Sequence, residues 1–572
     1  MVFIQQLKFV LSKYIKLFQI AKVKKKNYVF VILLTVLTVI LDAAGISVLL
    51  PIGEYVLKYE TGKVPDTQAW KVLQNIFLYL GIKADITPVV IFAIVLIFLR
   101  QGAVFTRGII IDLIDYKLVK DFREKLFAKF LVQDVYHIKQ HSTGIYNNSI
   151  NLEVANIGKA IILPVENISG IIQILSYLSL MLFISIKATL VVIIFMVFTG
   201  ILLKNFLYYI RNISSKIIKI NNNFSQNLVD RLIAVKLIRV SNKTYKEQDK
   251  NKEILREQFL NNIKLSRVQR IIDSTIEPLL LIVAIPVIII AITLNFPLAK
   301  LGVFIIILAR FIPVFKITLV GMQSHFHYYA SITNMLKLID KLDSQKEKRK
   351  GKLPAPKHIE SIKFSKIYFN YENSKNNILN NFSCQIKGGV VNALLGTSGS
   401  GKTTVVNMIP RLLEPSKGKI LINNINLNTI HVDRIRDICT YIEQKPTFIR
   451  GTIIEHITYN NLKTNRAKAI EAAKLANAHD FIMSFPENYD HQLGEGGVGL
   501  SGGQLQRLDI TRGLALGTPL MILDEPTSNL DSKNTKELLL TLKRINQIKK
   551  TTIIIVSHDD SVLKYCDNII QL

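Results

Sequence analysis

The chain is poor in cysteine, tryptophan and acid. Its three cysteines, Cys384, Cys439 and Cys566, fall in the C-terminal third without metal-ligand spacing. That excludes a disulfide framework and a cysteine zinc site, and leaves small buried hydrophobes of a reducing compartment. Only 42 Asp and Glu stand against 72 Lys and Arg, a formal net charge of +30. Such a balance suits either a nucleic-acid binder or a membrane protein with basic cytoplasmic segments. The apolar residues decide between them. They make up 49% of the 572 residues and concentrate before about residue 325, in runs that a soluble nucleic-acid domain does not carry. A chain of this length also exceeds one core, so two or more domains are expected.

Six segments are long enough to span roughly 30 Å of hydrocarbon. They lie near 28–52, 86–110, 159–184, 187–209, 273–294 and 298–322. The first follows Lys22, Lys24, Lys25 and Lys26 and outruns a signal-peptide core, so it reads as a spanning helix with a cytoplasmic N-terminus. The segments then facing inward, 111–158 and 210–272, are crowded with Lys and Arg, as in KDFREKLFAKF. The outward loop 53–85 is nearly balanced. Leu126, Phe127, Phe130 and Leu131 recur at helical spacing between the inward charges, which extends the spanning helices into the cytoplasm. In the outward loop Trp70, Leu73, Ile76, Phe77 and Leu80 share one helix face. That face lies on the membrane surface or caps the first two spans.

Ionisable residues interrupt the spans: Asp42, Arg100, Arg107, Arg310 and Lys316. Charges in hydrocarbon are costly and face a cavity or a partner. Counting from the outer ends, Arg100 lies about 21 Å deep and Arg310 about 18 Å deep at 1.5 Å per residue. Two readings stand for Arg100, Arg310, Arg107 and Lys316. One is a basic cavity for an anionic substrate group. The other is snorkelling or interhelical pairing. Asp42 reads as an interhelical hydrogen-bond partner.

Residues 341–357 are charged, Pro-containing and aperiodic, a linker between a membrane domain (1–340) and an α/β domain (358–572). Strand VVNALL runs into GTSGSGKT and then an apolar helix, the context of a P-loop. Its residues Gly396, Thr397, Ser398, Gly399, Ser400, Gly401, Lys402 and Thr403, with Thr404 behind, are the expected phosphate contacts. Lys402 reaches the outer phosphates and the Thr403 hydroxyl ligates Mg²⁺. PLMILDEP is an apolar strand ending in Asp524, placed for Mg²⁺, and Glu525, placed to take a proton from water. TTIIIV ends in Ser557-His558, a histidine at the strand edge where α/β ligands bind.

GTSGSGKT, Gln444 in CTYIEQKPTF, LSGGQ, LDEP, SNLD and SHD, in that order, resemble an ATP-binding cassette. With six spans before it, nearly the whole chain resembles an ABC exporter half-transporter: an all-α membrane domain fused to an α/β nucleotide-binding domain. The resemblance implies ATP and Mg²⁺ as cofactors and Glu525, His558 and Gln444 as catalytic residues, Gln444 also at the metal. It implies Tyr371 against adenine. Ser501, Gly502, Gly503 and Gln504 would close over nucleotide held by a second chain, with Asp531 contacting the opposite site. One P-loop and one LSGGQ imply a homodimer with two composite sites. The turns near 143–156 and 231–241 resemble coupling helices. LDAAGISVLLP in the first span resembles exporters and flippases of lipid-linked glycans and envelope lipids. ATP-driven export or flipping of an amphipathic, anionic substrate is therefore expected, in a bacterial inner membrane and in contact with its lipids, with no nucleic-acid partner. A peptide or multidrug exporter and a non-transporting nucleotide-gated channel are the alternatives.

Overall fold

An apolar run in hydrocarbon has one stable fate as a single segment, a helix that satisfies its own backbone. In the computed structural model these runs form long helices: α1 (Lys25–Tyr59), α3 (Ile86–Leu131), α5 (Val154–Ile184), α6 (Ile186–Ile233), α8 (Thr244–Thr293) and α9 (Leu298–Ser344). Between them lie the short α2 (Gln68–Tyr79), α4 (Thr143–Asn148), followed by a π-helical turn at Ser149–Glu153, and α7 (Val235–Val240). The structure describes residues 13–17, 19–20, 25–59, 68–79, 81, 86–139, 143–293, 298–371, 377–445, 447–459, 464–494, 499–528 and 530–572. Among these, four helices carry a stretch long and apolar enough to cross a membrane, within 26–53, 86–131, 144–184 and 300–344. A shorter apolar stretch occupies 186–202 in α6, and residues 273–293 form the end of α8. α3, α6 and α8 have 46, 48 and 50 residues. At 1.5 Å per residue that is about 70 Å, more than twice the hydrocarbon thickness, so each continues beyond it. Of the four apolar residues in the α3 extension, Leu126 is buried and Phe130 half-buried, while Phe127 and Leu131 face out.

Close helix approach depends on small residues. A Cβ on Gly170 of α5 would stand 2.1 Å from Thr318 Oγ1, and one on Gly321 of α9 2.1 Å from Asn167 Oδ1. Each helix thus presents a glycine to the other's polar side chain. α2 resolves the two readings of the outward loop. Trp70 and Phe77 are buried with Val48, Val89 and Ala93, so this face caps the first two spans. Leu73, Ile76 and Leu80 lie outside the described side chains, as do most charges of that loop.

Residues Glu347–Leu572 form a second compact unit. Its parallel sheet has the order β9-β3-β8-β7-β6: Asn568–Gln571, Val391–Leu395, Thr552–Ser557, Leu520–Asp524 and Cys439–Ile442. An antiparallel sheet has the order β2-β1-β4-β5: Leu379–Lys387, Ser361–Phe369, Lys417–Ile422 and Ile425–Asn426. β3, β7 and β8 are buried on both faces, which is why they read as continuous apolar runs. Ile553 and Ile555 enter one core, Ile554 and Val556 the other. The helices used below are α10 (Lys402–Met408), α11 (Ile453–Thr458), α12 (Arg466–Leu475), α13 (Gly502–Leu516) and α14 (Ser532–Lys549). Burial pushes the thiols of Cys384 and Cys439 up to about 12 and that of Cys566 to about 11, so all three are inert near neutral pH. The segment 341–357 is more ordered than its composition suggests. α9 runs to Ser344, and Glu347 is held by Arg436 while Lys352 and Leu353 donate to Thr429 O.

Candidate functional site

The phosphate loop leaves β3 fully buried and enters α10 through two left-handed glycines, Gly399 (φ +84°) and Gly401 (φ +101°). Gly401 is also confined: a Cβ there would meet Ile378 Cγ2 at 2.9 Å. Lys402, only 5% exposed, folds back so that Nζ donates to Gly396 O at 2.7 Å and Thr397 O at 2.9 Å. The Ser400 hydroxyl is buried with no hydrogen-bond partner among the described residues. A buried orphan hydroxyl beside a lysine and a turn of backbone amides fits the oxygens of a phosphate chain. Tyr371 places its hydroxyl 3.1 Å from Thr404 Oγ1, beside this loop, with its ring edge-on to Phe369.

Thr403 Oγ1 donates to Asp524 Oδ1 at 3.2 Å, and the Tyr441 hydroxyl donates to Oδ2 at 3.1 Å. Burial pushes the Asp524 carboxyl above its ordinary range, and neighbouring Glu525 adds to that, although both hydrogen bonds and Lys402 oppose it. A hydroxyl and a desolvated carboxylate side by side fit a hard divalent cation, which would favour the ionised form. Tyr441 escapes notice in the sequence. The signal was the alternation of CTYI, which turns Tyr441 and Cys439 to the same side of β6.

Glu525 ends β7 in a left-handed backbone conformation (φ +47°), a strained position for a glutamate. Its Oε2 accepts from Gln444 Nε2 at 2.8 Å, and its Oε1 lies 3.7 Å from His558 Nδ1. Three residues from three strand ends therefore converge on one point beside Asp524. Ser501 caps α13 in a capping box with Gln504, and Gly502 and Gly503 form the first turn. A Cβ on Gly503 would stand 3.3 Å from Leu530 Cδ2, a tight contact to which the leucine side chain would have to yield. Asp531 caps α14 through the Asn534 amide at 2.8 Å. Among the described residues no hydrogen bond or ion pair joins 501–504 to the phosphate loop of the same chain. Val498 and Asn529 lie outside the described residues.

In the membrane unit Asp42 Oδ1 sits 2.6 Å from Arg100 Nε, and the Tyr177 hydroxyl donates to Asp42 Oδ2. Thr38, Gln173 and Ser176 complete this small pocket between α1, α3 and α5. Asp42 is thus the interhelical partner its position suggested. For Arg100 the pairing favours the reading of an ion pair between helices, since a carboxylate within the chain compensates its charge. Arg310 is exposed on α9 and lies within electrostatic reach of Tyr177. Arg107, half-buried, has Glu166 in electrostatic reach, while its Nε and Nη1 are buried without a hydrogen-bond partner among the described residues. Lys316 is half-buried on α9.

The model of the ABC transporter transmembrane region matches residues 28–315, and that of the ABC transporter matches residues 379–528. The chain belongs to the ABC transporter family. An ATP-dependent lipid A-core flippase of Coxiella burnetii is 28% identical over 493 residues, 84% of this chain and 82% of that protein. One of Albidiferax ferrireducens is 27% identical over 492 residues, with 84% and 83% covered. A bacterial Atm1-family ABC exporter, solved with ATP bound, superposes with a TM-score of 0.78 over 96% of this chain and 94% of its own, at 18% identity. At that identity the likeness carries the fold alone. This ABC transporter is accordingly a helical membrane domain fused to an α/β ATPase domain, and ATP hydrolysis is coupled to movement of a substance across a membrane.

Proposed function

We propose that two copies of this chain form an exporter of the bacterial inner membrane that moves an anionic amphiphile, an envelope lipid or lipid-linked glycan, outward from the cytoplasmic side. The N-terminus and the ATPase domain face the cytoplasm. Thr403 and Asp524 hold Mg²⁺ with Gln444, Glu525 accepts the proton of the attacking water, and His558 faces the terminal phosphate. Tyr371 lies against adenine. The α13 end at Ser501 and Gly503, with Asp531, completes the site of the other copy. The turns at 143–156 and 231–241 carry the movement between domains.

The observation that carries the substrate class is an exposed arginine, Arg310, at the depth of the ion-paired Arg100. Arg100 is paired with Asp42, whereas Arg310 at a similar depth is exposed on α9 and forms no ion pair among the described residues. The exposed guanidinium of Arg310 suits phosphate oxygens through paired hydrogen bonds. The flippase relatives over four-fifths of the chain support the lipid class. The test is gentle extraction followed by mass spectrometry of bound lipids. A phosphate-bearing lipid enriched over the bulk membrane, and lost in Arg310→Ala, supports the reading; a bulk lipid profile in both counts against it.

A further inference from the structure

Asp509 is an anomaly in α13. It sits between the buried Leu508 and Ile510, and its side chain is 3% exposed. Its Oδ1 lies 3.1 Å from Nε2 of His456, itself 4% exposed on α11, and 3.1 Å from Nη2 of Arg512, one turn further along α13. Burying an ionisable pair rarely gains stability over apolar side chains that fill the same space. What such a pair supplies is a fixed mutual position, because its geometry is met in one arrangement only.

The elements held are the informative part. α13 is the helix whose first residues are Gly502 and Gly503. α11 follows the loop that carries Gln444, and Phe448 of that loop stacks on the His456 ring, with centroids 4.1 Å apart at 26°. The contacts form an unbroken run. Glu525 holds Gln444 at 2.8 Å, the loop leads to Phe448, Phe448 covers His456, and His456 holds Asp509. A second tether lies nearby, because a Cβ on Gly513 of α13 would stand 2.7 Å from Thr440 Cγ2 on β6, the strand that feeds the same loop. The loop and the helix therefore cannot shift independently while the pair is intact.

We propose that Phe448, His456 and Asp509 are positioning residues that lock the helix beginning at Ser501 to the Gln444 loop. The arrangement around one chain's Glu525 then sets the aim of the helix end which that chain offers to its partner's nucleotide. The inference rests on the nucleotide-site reading above. It predicts a defect in turnover rather than in nucleotide binding, since neither His456 nor Asp509 bonds to the phosphate loop.

The experiment uses the full-length protein in proteoliposomes with Asp509→Asn, His456→Gln and Phe448→Leu. Misaim of a catalytic group reduces turnover steeply. Each variant is expected to lose about tenfold or more in kcat per folded protein, read below its own melting temperature, with KM for ATP within about twofold of wild type. Phe448→Tyr, which keeps the stacked ring, is expected to recover most of the turnover lost in Phe448→Leu. A helix that is merely packed would not give that split. Wild-type kcat in all three variants overturns the proposal. So does a rise in KM at preserved kcat, or a loss that only tracks lost folded protein, with Phe448→Tyr no better than Phe448→Leu. Lys402→Ala, measured alongside, separates the two levels: near-wild-type hydrolysis there removes the nucleotide-site reading itself, whatever Asp509 does.

Discussion

Gln444 Nε2 donates to Glu525 Oε2 at 2.8 Å, which ties the end of one buried strand to the loop after another. The pairing leaves Oε1 of Glu525 toward His558 and keeps the carboxylate in its strained backbone position. A carboxylate aimed in this way, beside a metal-type pair at Thr403 and Asp524, is suited to take a proton from water.

Glu525→Gln tests that role with little change of shape, since its amide oxygen can still accept from Gln444. Loss of a general base costs on the order of 10²–10⁴-fold in turnover. ATP binding is expected to persist, and the nucleotide-bound dimer to accumulate on gel filtration. Hydrolysis near the wild-type rate in the purified variant contradicts the assignment.

Asp524 gives a pH dependence with a definite sign. Its folded-state pKa is raised, chiefly by burial. The folded protein therefore binds this proton more tightly than the unfolded chain does. The associated stability is present at low pH and is lost as pH rises through the raised value. Without metal, melting temperature is expected to fall across that window, above the ordinary carboxylate range, and Asp524→Asn is expected to remove that part of the fall. Mg²⁺ affinity should strengthen over the same rise, because the metal needs the ionised form. A melting curve with the same pH slope in wild type and Asp524→Asn contradicts this.

Arg100 and Arg310 are expected to behave differently. Arg100→Ala leaves Asp42 unpaired in a low-dielectric site, at a cost of about 3 kcal/mol or more. Its melting temperature should drop, and Asp42→Asn in the same chain should restore part of it. Arg310→Ala is expected to keep stability and basal hydrolysis but to lose stimulation by the phosphate-bearing lipid identified by extraction. Equal effects of the two substitutions on stability and on stimulation would remove the distinction drawn from the ion pair.

That no bond among the described residues joins Ser501 to its own chain's phosphate loop leads to a mixing experiment. A Lys402→Ala chain is paired with a Ser501→Arg chain. If the site is built across copies, one site carries both defects and the other none, and the mixed dimer regains part of the activity absent from either homodimer. If the sites are built within a chain, each carries one defect. A confirmed mixed dimer with no recovery, while a wild-type/Lys402→Ala dimer keeps activity, contradicts the composite site.

Much of this was legible in the sequence, for physical reasons. The parallel strands are buried on both faces, so VVNALL and TTIIIV stand out as apolar runs, and the residues at their ends are fixed by chain direction alone. The depth match of Arg100 and Arg310 follows from helical rise. Their different partners do not, because the Asp42–Arg100 contact joins α1 and α3, whose mutual rotation is set by side-chain packing such as Val48 with Val89 and Ala93. Tyr441 over Asp524 and His456 against Asp509 were missed for the same reason: each pair is 53 or more residues apart in sequence and carries no motif. The order of 341–357 was obscured by composition, since its ion pairs need the partner Arg436 in place.

On the proposed function, hydrolysis at this site moves a phosphate-bearing amphiphile across the bilayer. The most direct measurement uses purified protein in sealed vesicles that contain a fluorescent anionic lipid, with a membrane-impermeant quencher reporting its sidedness. The account predicts that Mg²⁺ and ATP shift the labelled lipid toward the leaflet opposite the ATPase domains, and that Glu525→Gln and Arg310→Ala abolish the shift, the latter with basal hydrolysis kept. A lipid distribution that ATP leaves unchanged in wild-type vesicles hydrolysing ATP, or one that shifts equally in Arg310→Ala, would contradict it.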